Sequence, residues 1–189
     1  SFSGEESWGF DPQALKYVAD KLVTESGADL LFHSYVAAPM MKGKTVKGLI
    51  VEGKSGRQAI LGKVVVDTTG DADIAAVSGA PFNLDRHPWG IDLECRIGNV
   101  DIEKALKWKR ENKKAFDEFM NKLGKDAGII GWGGDVNKGV VWSHGPHFYD
   151  ADGLNTKHLS RIEIESRKKI IDLLNVYKKI VPGFESAFL

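Results

Sequence analysis

A run of three valines at positions 64–66 stands just before a polar turn at residues 69–71. A continuous apolar run of this kind predicts a strand buried on both faces, as in a parallel sheet covered by helices. Asp73 follows as the predicted N-cap of a short helix that ends near Gly79. A strand, a glycine turn and a helix N-terminus direct backbone N–H groups to one point, which suits an anion such as a nucleotide pyrophosphate. An ordinary strand-to-helix turn would show the same pattern.

The N-terminal part of the chain predicts a helix and then a strand. Asp11 is the predicted N-cap, Pro12 takes the first helical position, and Gly27 ends the helix. One face of this helix is apolar, at Leu15, Val18, Ala19, Leu22 and Val23. The apolar residues 28–32 predict a short strand that continues through Val36. We expect this helix and strand to dock beside the valine strand.

Two further predicted strands lie between these elements. Residues 46–51 and 58–61 form an antiparallel pair joined by a hairpin turn at residues 53–56, and the pair leads directly into the valine run. The composition changes at Ala80 and Pro81. We therefore place a domain boundary there, with one domain over residues 1–80 and a second over residues 81–189.

The second region begins with an alternating segment and a long helix. Residues 91–97 alternate between apolar and polar positions, which predicts a strand. Asp101 is the predicted N-cap of a charged helix that runs to about residue 123. Residues 140–142 predict another strand, and a loop rich in histidine and aromatic residues follows at 143–150.

The last helix is predicted from its start and stop signals. Residues 160–163 read Ser-Arg-Ile-Glu, which is a capping box, and Leu159 and Ile164 have the spacing of a hydrophobic staple. The helix is expected to run to about Lys178 and to stop before Pro182.

Composition narrows the class of protein without identifying it. The chain has 189 residues, of which 42% are hydrophobic and 28% charged, with 26 basic and 26 acidic residues. This balance gives no electrostatic reason for nucleic-acid binding, and no apolar run approaches the roughly 18 residues that cross a bilayer. The first residues lack the features of a signal peptide, so the expected location is the cytoplasm. A single cysteine, Cys95, excludes an internal disulfide and a cysteine-based zinc site.

Several stretches of the chain resemble one family. These are FDPQALKYVADKLVTESGADLLFHSYV, VKGLIVEGKSGRQAILGKVVVDTTGD, VVVDTTGDADIAAVSGAPF and HLSRIEIESRKKIIDLLNVYKKIVPGFESAFL. They resemble FAD-dependent oxidoreductases of the glutathione-reductase and fumarate-reductase superfamily. The resemblance implies an α/β fold, in which residues 1–80 are part of a Rossmann-like FAD-binding domain with an antiparallel meander. It implies that residues 81–189 form an α+β substrate-side region.

The sequence departs from this family in one respect. Members begin with a strand, a G-x-G-x-x-G turn and a helix that hold the FAD pyrophosphate, and this motif does not occur here. The glycine cluster at residues 131–134 lies deep in the chain without a strand–turn–helix context. We therefore expect an internal fragment of a longer enzyme, inactive by itself.

The resemblance also implies cofactor-binding residues. Thr69, Gly70 and Asp71 would lie near the adenosine–pyrophosphate part of FAD, with Asp71 accepting hydrogen bonds from backbone or sugar hydroxyls, since its charge repels phosphate. Val36 would present backbone groups to the adenine. A structural turn at residues 69–71 and a buried strand-end valine are the alternatives.

Substrate-side candidates come from the residues themselves. His144 and His147 lie in an aromatic loop and can transfer protons near neutral pH, which makes them candidate catalytic residues. No third ligand at a suggestive spacing accompanies them, so we predict no metal site. Arg96 is the candidate for binding a substrate carboxylate. For all three, a purely structural role is the alternative.

These features predict a fragment of an FAD-dependent oxidoreductase that acts on an unidentified small molecule, with the flavin carrying the redox chemistry. A non-catalytic ligand-binding or interaction module of α+β architecture is the alternative, because a fold does not guarantee a function. The sequence leaves the oligomeric state open.

Overall fold

The computed structural model describes residues 10–82, 90–124, 127–130 and 136–189. Its contacts divide the chain into two compact units, one over residues 19–86 and one over residues 1–18 with 87–189. Both combine helices with a small antiparallel sheet. The assignment of residues 1–80 to FAD binding and of residues 81–189 to the substrate stays a prediction. The glycine cluster at 131–134 lies outside the described residues.

The unit over residues 19–86 is built on a three-stranded antiparallel meander. Its strands are β1 (Ser34–Lys42), β2 (Thr45–Gly53) and β3 (Gly56–Leu61), in that spatial order. The hairpin closes where Gly53 pairs with Gly56, which confirms the predicted turn. The residue pattern thus predicted the β2–β3 hairpin, whereas the third strand of the meander was implied only by the family resemblance.

One predicted strand of this unit is absent from the structure, and another begins later than predicted. Residues 64–66 form no strand, with Val64 80% and Val66 78% exposed. A strand needs a hydrogen-bonding neighbour, and β1 to β3 pair only with one another among the described residues. The prediction of a buried valine strand was wrong for this reason. The strand predicted over residues 28–36 forms only from Ser34 onward, as the start of β1.

The first helix forms as predicted. Helix α1 (Pro12–Glu25) is capped by Asp11, whose Oδ1 accepts hydrogen bonds from the backbone N–H of Gln13 at 2.8 Å and Ala14 at 3.3 Å. These bonds lower the pKa of Asp11. Gly27 follows with φ of +80°, the left-handed conformation that ends a helix. None of the helix residues is buried.

In the part of the chain that the structure describes, the second unit contains a short sheet and three helices besides the residues of α1 up to Val18. Strands β4 (Cys95–Ile97), β5 (Ile129–Ile130) and β6 (Val141–His144) form an antiparallel sheet with β6 in the centre. The predicted strand over residues 91–97 thus forms at its C-terminal end, and Ile91 makes an isolated bridge with Phe148. The helices are α3 (Ile102–Glu111), α4 (Lys113–Leu123) and α5 (Thr156–Ile180).

The charged segment after Asp101 forms two helices where one was predicted. Asp101 caps α3 as expected, with Oδ1 accepting from the backbone N–H of Lys104 at 3.0 Å. The helix stops at Asn112, whose backbone is not helical and whose side-chain amide donates to the Trp108 carbonyl at 3.1 Å. An asparagine side chain that bonds to nearby backbone competes with helix continuation, and α4 begins afresh at Lys113.

Helix α5 begins before the predicted capping box. Its N-cap is Asn155, whose Oδ1 accepts from the backbone N–H of Lys157 and His158. Ser160 lies inside the helix and donates its hydroxyl to the Thr156 carbonyl. Ile164 is exposed, so the predicted hydrophobic staple was wrong as well. The helix ends at Ile180, just before Pro182, as its stop signal predicted.

The core of this unit lies among the sheet, α3, α4 and α5. The Tyr177 ring lies 5.1 Å from that of Phe119 and 5.2 Å from that of Phe184, both edge-on. The buried cluster comprises Ile97, Val100, Ala105, Phe119, Ile130, Val141, Leu173, Leu174, Tyr177, Val181, Phe184 and Ala187. Because Ile97 of β4 and Val141 of β6 belong to this cluster, the core holds both strands in position. Among the described helices, none has both the length and the apolar character that crossing a bilayer requires.

Candidate functional site

Side chains from β4 and from β6 share the face of the sheet that is opposite the hydrophobic core. Ile97 pairs with Val141, both fully buried, and Arg96 pairs with Trp142. Because side chains alternate along a strand, the face opposite the core carries Arg96 and Glu94 on one strand. On β6 it carries Trp142 and His144. These side chains therefore meet across the β4–β6 pair.

His144 and Glu94 form the tightest contact on this face. The Nδ1 atom of His144 lies 2.8 Å from Oε1 of Glu94, which is an ion-pair distance when the imidazole is protonated. The side chains are 43% and 46% exposed, so a ligand can reach the pair from solvent. An imidazole beside a carboxylate can take part in proton transfer.

His147 forms a second, looser pair with Asp92. The distance from its Nδ1 to Oδ2 of Asp92 is 3.5 Å, and the side chains are 23% and 27% exposed. Three residues separate Ile91 from Cys95, whereas four separate Ser143 from Phe148, so the segment that carries the two histidines has one extra residue.

Arg96 lies half-buried beside aromatic rings. Its guanidinium carbon is 5.4 Å from the centre of the Trp142 ring, a cation–π distance. The Phe10 ring contacts Trp142 edge-on at 6.4 Å between centroids. The guanidinium is thus positioned by packing, a geometry compatible with binding a carboxylate and equally with a structural role.

Two glycines let β5 approach the turn that carries the histidines. A Cβ atom at Gly128 would lie 2.6 Å from the His144 carbonyl oxygen, and one at Gly145 would lie 2.7 Å from the Gly128 Cα. Both distances are shorter than real side chains tolerate. The position of the His144–His147 turn therefore depends on this backbone-to-backbone contact.

Cys95 does not add a reactive group to this face. Burial is the largest influence and raises the pKa of its thiol, the hydrogen bond with Ser143 lowers that pKa, and the nearby Glu94 charge raises it by a smaller amount. A thiol that stays protonated is a poor nucleophile and metal ligand. Within the described residues, no cluster of three or more His, Cys, Asp or Glu side chains could hold a metal ion.

Sequence reasoning named the two histidines and Arg96 but missed their carboxylate partners. Glu94 and Asp92 stand two and four residues before Arg96, at alternating positions of the strand predicted over residues 91–97, although β4 begins only at Cys95. That alternation was visible in the sequence. It predicted the apolar face of the strand, and the same spacing identifies the polar one.

The predicted cofactor residues lie in the other unit. Val36 is a half-buried residue of β1 opposite Val51, and helix α2 (Asp73–Val77) lies against β1. Thr69, Gly70 and Asp71 form the exposed turn before α2, with Gly70 at φ of +95°. The strand and the turn thus belong to one compact unit, as the prediction requires.

The start of α2 is capped by residues that precede it. Asp73 is the first helical residue, and Asp67 supplies the cap: its Oδ2 accepts from the Ala75 backbone N–H at 2.8 Å. Its Oδ1 accepts from the backbone N–H of Thr69 at 3.0 Å, and the Thr69 hydroxyl accepts from the backbone N–H of Asp73. The bonds from Ala75 and Thr69 lower the pKa of Asp67. The predicted capping role of Asp73 was wrong.

This arrangement has a consequence for anion binding. A carboxylate already accepts the N–H groups that a phosphate would need, and α2 has only five residues. The start of α2 is therefore unsuited to a pyrophosphate, because like charges repel and the donors are in use. The exposed carboxylate of Asp71 suits a hydroxyl donor instead.

A match to one protein family covers nearly the whole chain. The family model described as FAD dependent oxidoreductase matches residues 2–189, which is nearly the complete sequence. No solved structure matches the chain. With both units included in that match, the chain belongs to the FAD dependent oxidoreductase family.

Proposed function

We propose that this chain works as part of an FAD-dependent oxidoreductase that oxidises or reduces a small molecule beside the β4–β6 face. The observation that carries the proposal is the 2.8 Å contact between His144 and Glu94, which presents a proton-transfer group to solvent in a member of this family. When FAD is bound, its isoalloxazine exchanges the electron pair with the substrate. The protein supplies binding, orientation and proton transfer.

The cofactor would be held by the unit that contains the meander, as part of a Rossmann-like domain. Backbone groups at Val36 would meet the adenine, and those of Thr69 and Gly70 would lie beside the adenosine. Asp71 would accept hydrogen bonds from sugar hydroxyls, which fits its exposed carboxylate. The pyrophosphate needs another cradle, because Asp67 occupies the start of α2.

The substrate would be held by the second unit. His144 would exchange a proton with the substrate at Nε2, and His147 would line the same face. Arg96, stacked against Trp142, would bind a carboxylate if the substrate carries one. The sequence contains no G-x-G-x-x-G turn, so we expect these residues alone to bind FAD weakly and not to turn over. A cytoplasmic location stays a prediction.

The test is an FAD titration of the protein expressed from its complete reading frame. We expect visible flavin absorption bands that stay with the protein on desalting and bleach with dithionite. Asp71→Asn should weaken FAD binding, whereas Asp29→Asn, which removes one charge from an exposed loop of the same unit, should not. A folded protein that stays colourless at saturating FAD would overturn the proposal and favour the non-catalytic module.

A further inference from the structure

We propose that the outer edge of strand β3 is a dimerisation surface, which pairs with the same strand of a second copy of this chain. The two strands run antiparallel about a two-fold axis at Ala59 and join two meanders into one continuous sheet. The proposal concerns only the unit over residues 19–86 and is independent of the proposed redox function.

The backbone groups of every second β3 residue face away from the rest of the sheet. The two residues that flank the hairpin turn form a hydrogen-bonded pair, and the bond from the Gly62 N–H to the Lys47 carbonyl at 3.1 Å continues this pattern. By alternation, the N–H and C=O groups of Arg57, Ala59 and Leu61 point outward. In the described part of the chain, β3 pairs with β2 alone, and all six of its residues are exposed.

The opposite edge of the meander is protected against strand addition. Strand β1 contains Pro39, which has no N–H to donate, and its register with β2 shifts twice. Helix α2 lies against this strand as well. These are devices with which proteins prevent edge-to-edge association. Pairing through β3 therefore joins two copies and stops there, because both outer edges of the joined sheet are then β1 strands.

Strand β3 has none of these devices. Its register with β2 is continuous from Gly53 to Gly48, without a bulge. Its sequence contains no proline and no lysine, and Ile60 and Leu61 are 45% and 72% exposed. A regular, exposed edge with apolar side chains is the type that pairs with a further strand.

The charge on β3 favours a second copy over a strand of another sequence. Arg57 is its only charged residue and lies near one end, with Leu61 at the other. In an antiparallel pair centred on Ala59, Arg57 of each copy faces Leu61 of the other, which packs against the aliphatic part of the arginine side chain. The two arginines are then separated by about 14 Å along the strands, and each keeps its ion pair with Glu52.

The experiment is multi-angle light scattering of the complete protein after size-exclusion chromatography, loaded at about 1 to 200 µM to cover micromolar affinities. We expect the mass to rise from that of one chain to that of two. Leu61→Lys should weaken association by about tenfold, because each lysine faces Arg57 of the other copy. Leu61→Glu should strengthen association, because the same positions then form ion pairs between the copies.

The matched controls are Val77→Lys and Val77→Glu. Val77 is 65% exposed on α2, which lies against β1 at the opposite edge of the meander, so neither charge should change association. Because Leu61 is 72% exposed, both of its variants should keep the circular dichroism spectrum of the unmodified protein.

Hydrogen exchange identifies the edge directly. Raising the protein concentration should slow exchange at the amides of Arg57, Ala59 and Leu61, and should leave Gln58 and Ile60, which pair with β2, unchanged.

A protein that stays monomeric at every concentration would overturn the proposal. A dimer that Leu61→Lys and Leu61→Glu leave unchanged, or weaken alike, would also overturn it, because the copies would then meet elsewhere. Slow exchange at the outward β3 amides of a monomer would show that another segment of the same chain covers this edge, which equally contradicts the proposal.

Discussion

At the scale of single residues, Asp67 shows how a half-buried carboxylate can organise a segment. It accepts hydrogen bonds from the backbone N–H of Thr69 and Ala75 and from the Thr69 hydroxyl. These bonds tie the residues before α2 to its first turn. Because they are made to the ionised form, they lower the pKa of Asp67 below the ordinary value for aspartate.

We predict a pH-dependent stability contribution from this residue. A lowered pKa in the folded state means that the contribution is present above about pH 4, the ordinary aspartate value, and is lost as the pH falls through the folded pKa. Asp67→Asn should therefore lower the thermal unfolding temperature at pH 7, and the gap should close as the pH falls below about 4.

The matched variant is Asp29→Asn, which removes a charge from an exposed position in the same unit. It should leave the unfolding temperature close to that of the unmodified chain at every pH. A gap for Asp67→Asn of the same size at pH 7 and pH 2 would contradict the assignment.

The candidate site was predicted at this scale only in part. His144, His147 and Arg96 were identifiable because histidine and arginine carry recognisable chemistry wherever they occur. Glu94 and Asp92 gain significance only from their partners across the sheet, and this pairing depends on a register with one extra residue between Ser143 and Phe148. A local pattern does not specify such a register.

At the scale of elements, helix α5 is a case in which two start signals compete. Asn155 and Ser160 both precede apolar positions, and the structure uses Asn155. The earlier start adds one turn to the helix and leaves the Ser160 hydroxyl to bond the Thr156 carbonyl.

Substituting Asn155 and Ser160 one at a time should show which of them caps helix α5. Asn155→Ala should cost about 1 kcal/mol of unfolding free energy, because two backbone N–H groups lose their acceptor. Ser160→Ala, inside the helix, should change stability by less than about 0.5 kcal/mol. Urea unfolding followed by circular dichroism measures both. Equal losses, or a larger loss at Ser160, would show that the helix begins at the capping box.

Elements with local signals were predictable, and those that depend on a neighbour were not. The hairpin of β2 and β3 and the cap of α1 follow from residues close together in sequence. The valine run was read as a buried strand from its composition, but composition cannot supply a pairing partner. The break at Asn112 depends on one side-chain hydrogen bond, which helix periodicity does not register.

At the scale of the whole molecule, most of the large buried side chains gather in one unit. Tyr177 is fully buried between the rings of Phe119 and Phe184, and its hydroxyl lies 3.7 Å from the Met120 sulfur. Burial raises the pKa of Tyr177 to about 12. This core supports β4 and β6 and therefore the face that carries His144.

We predict that Tyr177→Ala destabilises this unit by about 3–5 kcal/mol, through lost burial and the cavity that remains. Tyr17→Ala is the matched control, since Tyr17 is 69% exposed on α1 and its loss should change stability by less than about 0.5 kcal/mol. Urea unfolding followed by tryptophan fluorescence compares them. A loss of unfolding free energy at Tyr177 as small as that at Tyr17 would contradict the prediction that the Tyr177 ring is essential to the core.

The general architecture was predictable as mixed α and β with an antiparallel meander, and the family match over residues 2–189 agrees with the resemblance read from motifs. The parallel, Rossmann-like arrangement is a property of how strands from distant parts of a fold assemble. Within the described residues both sheets are antiparallel, and local patterns contain no information on longer-range assembly.

The close approach of Gly128 to Gly145 has a further meaning for protein engineering. Because the two backbones touch, the loop that carries the histidines cannot be redesigned by varying its own residues alone. A library aimed at new substrates would have to hold positions 128 and 145 as glycine and place its diversity at exposed side chains such as Tyr149. The tolerance of this loop to sequence change is thus limited by Gly128, which directly precedes β5 and lies outside the loop.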